Sequence, residues 1–330
     1  MKKLQKEKSI MLLLCTIVVL VTIIGIGVGA VFIHPKDILL SLAGVDIGPN
    51  GFIIQQYRLP RIIIALLAGS SLAISGAILQ GIIRNPLASP DVIGITKGAG
   101  LAAAIVIILF PHAFILARPI AAFVGASIVA ILLYLFAYKT GLRPTTLALV
   151  GIALGAICHA GIQFLLVKFP VDVNAALIWL TGSLWGKGWE DVWLLLPLVL
   201  ILIPLTVALA LKLDILNLGD DVAEGLGEPV GITRMVLLFL AVALAGSSVA
   251  IVGSLGFIGL IAPHMARQLV GNKHRLLLPT SALVGMLIVL VADGLGRGVM
   301  PPVEIPAGIF TAVIGAPYFL FLLKRLQTKS

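Results

Sequence analysis

The chain has 330 residues, 60% of them hydrophobic and 11% charged, with a mean hydropathy of +1.17. Soluble domains carry about a quarter of their residues as charges, so this composition excludes a soluble enzyme or binding module and indicates a polytopic membrane protein. The net charge of +9 needs no nucleic acid, because membrane orientation accounts for a basic excess.

A spanning helix needs about 20 apolar residues, which leaves room for roughly ten spans and no sizeable soluble domain. Lys2, Lys3, Lys6 and Lys8 precede an uncharged run over 10–33. A signal peptide would have an apolar core of about 7–15 residues and a small-residue cleavage site, so the run is expected to be an uncleaved first span. Further apolar runs cover 62–83, 92–110, 116–138, 144–167, 192–211, 235–252, 256–270, 277–296 and 306–323. The run over 256–270 is short and contains Pro263, so a broken or re-entrant segment is expected there. The semi-polar stretch 174–188, with Trp179, Trp185 and nearby Trp189, suits a short helix at the headgroup level. If the N-terminus is cytoplasmic and the spans alternate, seven cations fall outside: Lys36, Arg58, Arg61, Arg118, Lys168, Lys187 and Arg297. The rest of the 23 fall inside, a bias that supports ten spans with both termini inside. Cys15 and Cys158 lie in apolar runs, so no disulfide framework is expected.

The longest polar interruption is Asp214 to Gly231. Between Lys212 and Arg234 stand Asp214, Asp220, Asp221, Glu224 and Glu228, five acids in a basic protein. Each Asp at a bilayer centre costs about 2.5–3.5 kcal/mol on insertion scales, so the segment lies in water. Gly219 can end one short helix and Asp220 can cap the next, with Asp221 and Glu224 in its first turn. Leu218, Val222 and Leu226 recur four apart as an apolar stripe, and Gly227 and Pro229 stop the helix. Two short amphipathic helices outside the membrane form a docking knob or a solvated loop.

Chemistry is sparse. The sequence Gly182-Ser-Leu-Trp-Gly-Lys-Gly lacks the spacing of a phosphate loop, so the chain is not expected to hydrolyse nucleotide itself. Gly253, Gly256 and Gly259, and the pairs Gly25/Gly29 and Gly151/Gly155, read as close helix packing. His34, His112, His159, His264 and His274 are scattered, so no metal or cofactor site is expected. Asp293, near the outer end of its run, is an intramembrane carboxylate and a functional candidate by default. Arg58, Arg61 and Arg297 stand at outer ends. Their residue type suits either interfacial snorkelling or bidentate pairing with carboxylates of an external partner.

The stretch Arg58-Leu-Pro-Arg61, Gly69, Ser75-Gly76, Gln80, Arg84-Asn85-Pro86-Leu87-Ala88, Pro90, Gly94 and Gly98-Ala99 resembles the FecCD-type permeases of ABC importers for ferric siderophores, haem and cobalamin. So do Leu218-Gly219, Ala223, Leu226-Gly227 and Arg234, then Gly256-Phe257-Ile258-Gly259-Leu260, Pro263-His264 and Arg267, then Ala292-Asp293, Arg297, Ile305-Pro306-Ala307-Gly308 and Gly315-Ala316-Pro317. The resemblance implies an all-α type II permease, one transmembrane domain over 1–330 with ten helices, in a bacterial cell membrane with both termini cytoplasmic. It implies two cytoplasmic ATP-binding subunits, a second permease copy or paralogue and an extracytoplasmic binding protein. It implies ATPase coupling through Leu218, Gly219, Asp220, Val222, Ala223, Leu226 and Gly227, binding-protein docking at Arg58, Arg61 and Arg297, and an outer gate around Trp179, Gly182 and Gly186. Ferric siderophores are the expected cargo. The competing readings are a stand-alone secondary carrier or channel, which should show several intramembrane charges and internal repeats, and a membrane enzyme, which should cluster His, Asp and Glu at one depth.

Overall fold

The computed structural model describes residues 2–29, 31–138, 142–170 and 173–327, so Lys139 and Lys329 of the cation count lie outside the described residues. Every regular element among them is helical. In chain order these are α1 (Lys2–Gly27), α2 (Pro35–Leu42), α3 (Pro49–Ile53), a π turn (Ile54–Arg58) leading directly into α4 (Leu59–Ile83), α5 (Ile95–Leu109), α6 (Ala117–Tyr138), α7 (Pro144–Lys168), α8 (Val173–Thr181) and α9 (Trp189–Ala208). There follow α10 (Ala210–Leu216), α11 (Asp220–Gly225), α12 (Val230–Val252), α13 (Ile258–Val270), α14 (His274–Gly298) and α15 (Ala307–Gln327).

Each apolar run of the sequence overlaps a helix, but the runs over 92–110 and 256–270 give helices of only 15 and 13 residues, the run over 10–33 outlasts α1, and the run over 192–211 is divided between α9 and α10. Seven helices of the described residues are long and apolar enough to cross a membrane, and Ile95–Leu109 and Ala307–Phe321 are shorter apolar stretches. The run over 256–270 forms α13, whose 13 residues span about 20 Å at 1.5 Å each. The start of the run is not helical: Phe257, the N-cap of α13, has φ of +67°, and Gly253, which ends α12 just ahead of the run, has φ of +74°. Pro263 lies within α13 without ending it. The short helices α2 and α3 were not foreshadowed by the apolar pattern, which is silent on polar segments of such length.

The bundle is layered by burial. The apolar windows of α4 and α12 are 89% and 83% buried, while those of α1, α6, α7 and α9 are 22–33% buried. Outer helices present Leu12, Leu13, Ile128, Leu135, Phe164 and Leu200 to the surroundings. So much exposed hydrocarbon suits lipid and not water. In lipid the hydrophobic effect does not drive helices together, so close approach and hydrogen bonds must do it. Accordingly α4 meets α14 and α13 at glycines: a Cβ on Gly69 would lie 2.5 Å from the Gly285 carbonyl oxygen. Ser75 Oγ donates to the Ala241 carbonyl of α12 at 2.6 Å.

Candidate functional site

Helix α4 runs from Arg61 near one end to Arg84 just past the other, roughly 35 Å at 1.5 Å per residue. Arg84 reaches the polar knob and Arg61 reaches a cluster of arginines and acids. The two sequence-derived sites therefore lie at opposite ends of one buried helix.

At the first end, two short helices meet the stretch 214–231: α11 lies within it, whereas α10 begins ahead of it and only its last turn falls inside. Gly219, at φ +115°, caps α11, and Asp220 is its first helical residue, not its cap. The expected capping role fails because the carboxylate is drawn away: it accepts from Arg234 Nη2 at 2.8 Å and pairs with Arg84. Arg84 Nε also donates to the Leu216 carbonyl at 2.9 Å. Arg234 is fully buried, and its Nη1 donates to the Leu142 carbonyl at 3.1 Å. Lys212 donates to Glu228 at 2.6 Å, and Thr233 donates to the same oxygen. Asp214 accepts from the backbone N–H of His274. The acids thus brace the knob against α4, α12 and α14. The sequence contained the counter-charges Arg84, Arg234 and Lys212, but their pairing spans up to 136 residues. Leu218, Val222 and Leu226 are 59%, 50% and 63% exposed, while Ala223 is buried against the bundle. Gly227, at φ +81°, turns the chain toward α12. The stripe is therefore held outward on a rigid base.

Burial alone would raise the Asp220 carboxyl, but hydrogen bonding and charge from Arg234, then Arg84, hold it below the usual aspartate value. Hydrogen bonds from Lys212 and Thr233 likewise depress Glu228. A depressed folded-state pKa contributes stability that is complete above the unfolded value and is lost as pH falls through the folded one. Amide hydrogen exchange across 214–231, corrected for intrinsic rates, is expected to stay constant from neutrality to about pH 5 and to accelerate only below about pH 4. Opening of the knob near pH 6 would contradict these pairings.

At the other end the three arginines are turned inward. Arg58 and Arg297 are 7% and 4% exposed. Arg58 donates to the carbonyls of Ile26, Gly27 and Val31, and Arg297 donates to those of Val28 at 2.6 Å and Gly25 at 2.9 Å. These carbonyls lie at and beyond the C-terminus of α1, where no intrahelical donor remains, so two guanidinium groups cap that helix. Gly29 makes the room, since a Cβ there would lie 2.9 Å from Arg58 Nη2. Asp293, fully buried, accepts from Arg61 Nε at 2.9 Å and from Arg297 Nε at 3.0 Å. Arg61 Nη1 also meets the half-buried Glu304 at 2.7 Å. The open ring of guanidinium groups suggested by the sequence is thus an internal network. Asp293, singled out as a lone intramembrane acid, is its centre.

The semi-polar stretch 174–188 is helical only as α8, to Thr181. Gly182 and Gly186, at φ +75° and +72°, turn the rest. Ser183 N–H donates to the Val252 carbonyl at 2.8 Å and Gly308 N–H donates to the Gly182 carbonyl at 3.0 Å, fixing the turn to α12 and α15. A Cβ on Gly308 would lie 1.6 Å from the Thr181 carbonyl oxygen, so glycine is required at this contact. Trp179 and Gly186 line a cavity of about 330 Å³. Among the described residues, no His, Cys, Asp and Glu gather in a metal-binding group.

A shell of lipid-length helices around an encased α4, with polar structures at both of its ends, defines a multi-pass membrane transport subunit. The chain belongs to the FecCD transport family, whose profile matches residues 17–325. It is 60% identical over 98% of its length to the Fe(3+)-citrate import system permease protein YfmE of Bacillus subtilis, covering 97% of that protein. It is 46% identical over 84% of its length to the Fe(3+) dicitrate transport system permease protein FecD of Escherichia coli, covering 86% of it. A solved structure described as an inward-facing conformation of a metal-chelate type ABC transporter superposes with a TM-score of 0.86 at 32% identity, over 96% of this chain and 99% of that one. The chain is a permease subunit of an ABC importer, and the ATPase activity belongs to a separate partner subunit.

Proposed function

We propose that this chain carries a ferric chelate of the siderophore or citrate class across a bacterial cell membrane, as one ten-span domain with the knob and both termini in the cytoplasm. The names of the relatives support the cargo, and the excess of cations on the knob side supports the orientation. The observation that carries the mechanism is the exposed stripe of Leu218, Val222 and Leu226 on a base fixed by Asp220. A cleft on the ATPase that grips this stripe would transmit its closure through the Arg84 and Arg234 pairs to α4 and α12, the two most buried helices. Two ATPase subunits would act on two permeases. The exposed apolar faces of α7 (Leu149, Ile152, Ile157) and α15 (Val313, Leu320) suit a second copy or paralogue. An extracytoplasmic binding protein would dock at the arginine end. There the partly open Arg61–Glu304 pair is the accessible part of the network, because Arg58 and Arg297 are committed to α1. The turn at Trp179, Gly182 and Gly186 would gate the outer end.

Leu226→Glu tests this. Burying a leucine in a partner cleft is worth about 1.5–3 kcal/mol, so the charged variant is expected to lower binding-protein-stimulated ATP hydrolysis by about tenfold or more, with membrane insertion unchanged. Normal stimulated hydrolysis would refute the docking role. Ion-driven uptake by the chain alone in liposomes would favour a stand-alone carrier.

A further inference from the structure

We propose that a pocket at the knob end of the bundle binds a small oxyanion that also carries a hydroxyl group, of the hydrogen-phosphate class. The pocket has a volume of about 390 Å³ and lies among the C-termini of α4 and α13, the start of α14 and the α10–α11 connection. Three buried polar atoms on its lining residues have no hydrogen-bond partner: Gln80 Oε1, Arg267 Nη1 and His274 Nε2. Gln80 and His274 are 3% and 1% exposed.

The roles of these atoms follow from their other contacts. Gln80 Nε2 donates to the Gly259 and Leu260 carbonyls, both at 3.3 Å, so Oε1 is left as an acceptor. His274 Nδ1 lies 2.7 Å from Asp214 Oδ1, which orients the ring with its proton on Nδ1 and leaves Nε2 as an acceptor in the neutral imidazole. Arg84 has Asp220 as counter-ion, whereas no carboxylate pairs with Arg267 among the described residues. The pocket therefore offers one uncompensated guanidinium group and two acceptors. Water satisfies acceptors, but a partly buried cation without a counter-charge is costly. Hydrogen phosphate suits the cation and one of the acceptors: an anionic oxygen accepts from the Arg267 guanidinium, and its single hydroxyl donates to Gln80 or to His274, water serving the other. The phosphate is either free or the headgroup of an anionic lipid, in which case a hydroxyl of the headgroup glycerol, and not of the phosphate, donates to the acceptor. Arg84 lines the same pocket and holds Asp220, so an occupant stiffens the base of the knob. The inference does not depend on the transported cargo.

The full chain with its ATPase partner, in phosphatidylcholine nanodiscs and phosphate-free buffer, is titrated with inorganic phosphate by calorimetry. Saturable binding is expected. Arg267→Gln should weaken it by about tenfold or more, since a charge-assisted contact is lost. Arg267→Lys should retain most of it, and this variant also checks that a loss in Arg267→Gln is not misfolding. Absence of saturable binding to the unmodified chain, equal binding by Arg267→Gln, or full displacement by equimolar chloride would overturn the proposal. In phosphatidylglycerol nanodiscs, retained lipid in native mass spectrometry that competes with phosphate assigns the headgroup as the source. Undiminished phosphate binding there assigns the free ion. Phosphate binding only after the ATPase is removed would show an acidic partner segment in the pocket and would also overturn it. Coupled uptake is measured separately, so failure here leaves the transport reading standing.

Discussion

Replacing Asp293 with alanine is expected to destabilise the folded chain by about 3–5 kcal/mol, the usual effect of removing one partner from a buried ion pair. Its carboxylate is fully buried and is shared by Arg61 and Arg297. Without it, two guanidinium groups remain at the end of the bundle with Glu304 alone to balance them. Arg297 is also tied to the end of α1, so the loss should spread there and loosen the packing of α1 on α14. Glu304→Ala is the matched comparison. Glu304 is 30% exposed and meets Arg61 only, so its removal should cost about 1 kcal/mol or less, as for surface pairs. Unfolding midpoints of the two variants in mild detergent, titrated with denaturant, give the order. If Glu304→Ala were the more damaging, the network would not be centred on Asp293. The comparison also bears on docking: a variant that keeps its stability but loses the binding protein would place Glu304 and Arg61 at that contact.

Gly76→Ala is expected to be nearly as severe, although it adds one methyl group. The new Cβ would lie 1.8 Å from the carbonyl oxygen of Gly259 and 2.5 Å from its Cα. The obstacle is backbone, not a flexible side chain, so α4 and α13 must separate. Overpacking costs about 1–3 kcal/mol and occasionally more, and this contact belongs at the upper end. Separation would also break the hydrogen bonds from Gln80 to Gly259 and Leu260. Gly294→Ala in α14 supplies the control, because nothing lies within 4 Å of its added Cβ. Alanine there should be neutral or stabilising by up to about 1 kcal/mol, as expected from helix propensity. Equal yields and equal unfolding midpoints for the two variants would mean that the α4–α13 approach is not close.

Much of this architecture could be read from the order of residues. The apolar runs gave the long helices, because a hydrocarbon environment forces each run to satisfy its own backbone. The run at 10–33 became α1, and that at 277–296 became the body of α14. The acidic knob was also legible: no bilayer core holds Asp220, Asp221 and Glu224 together, and Leu218, Val222 and Leu226 repeat at helical spacing. Ala223, which the resemblance placed in the coupling set, was not legible in this way: it is buried against the bundle.

What the sequence left open was where each charge finds its partner. Asp220 was read as a helix cap because capping is local, yet Arg84 and Arg234 claim it. Arg58 and Arg297 were read as outward-facing because they stand at span ends, yet they cap α1 across separations of 31 and 272 residues. The semi-polar stretch at 174–188 became a nine-residue helix and a glycine turn, decided by α12 and α15 pressing on its backbone. By itself the sequence determined which segments are apolar enough to enter a membrane and which are too polar, since transfer energies sum residue by residue along the chain. Only the tertiary structure decided how the polar groups pair, because that depends on which helix ends the packing brings within hydrogen-bond reach.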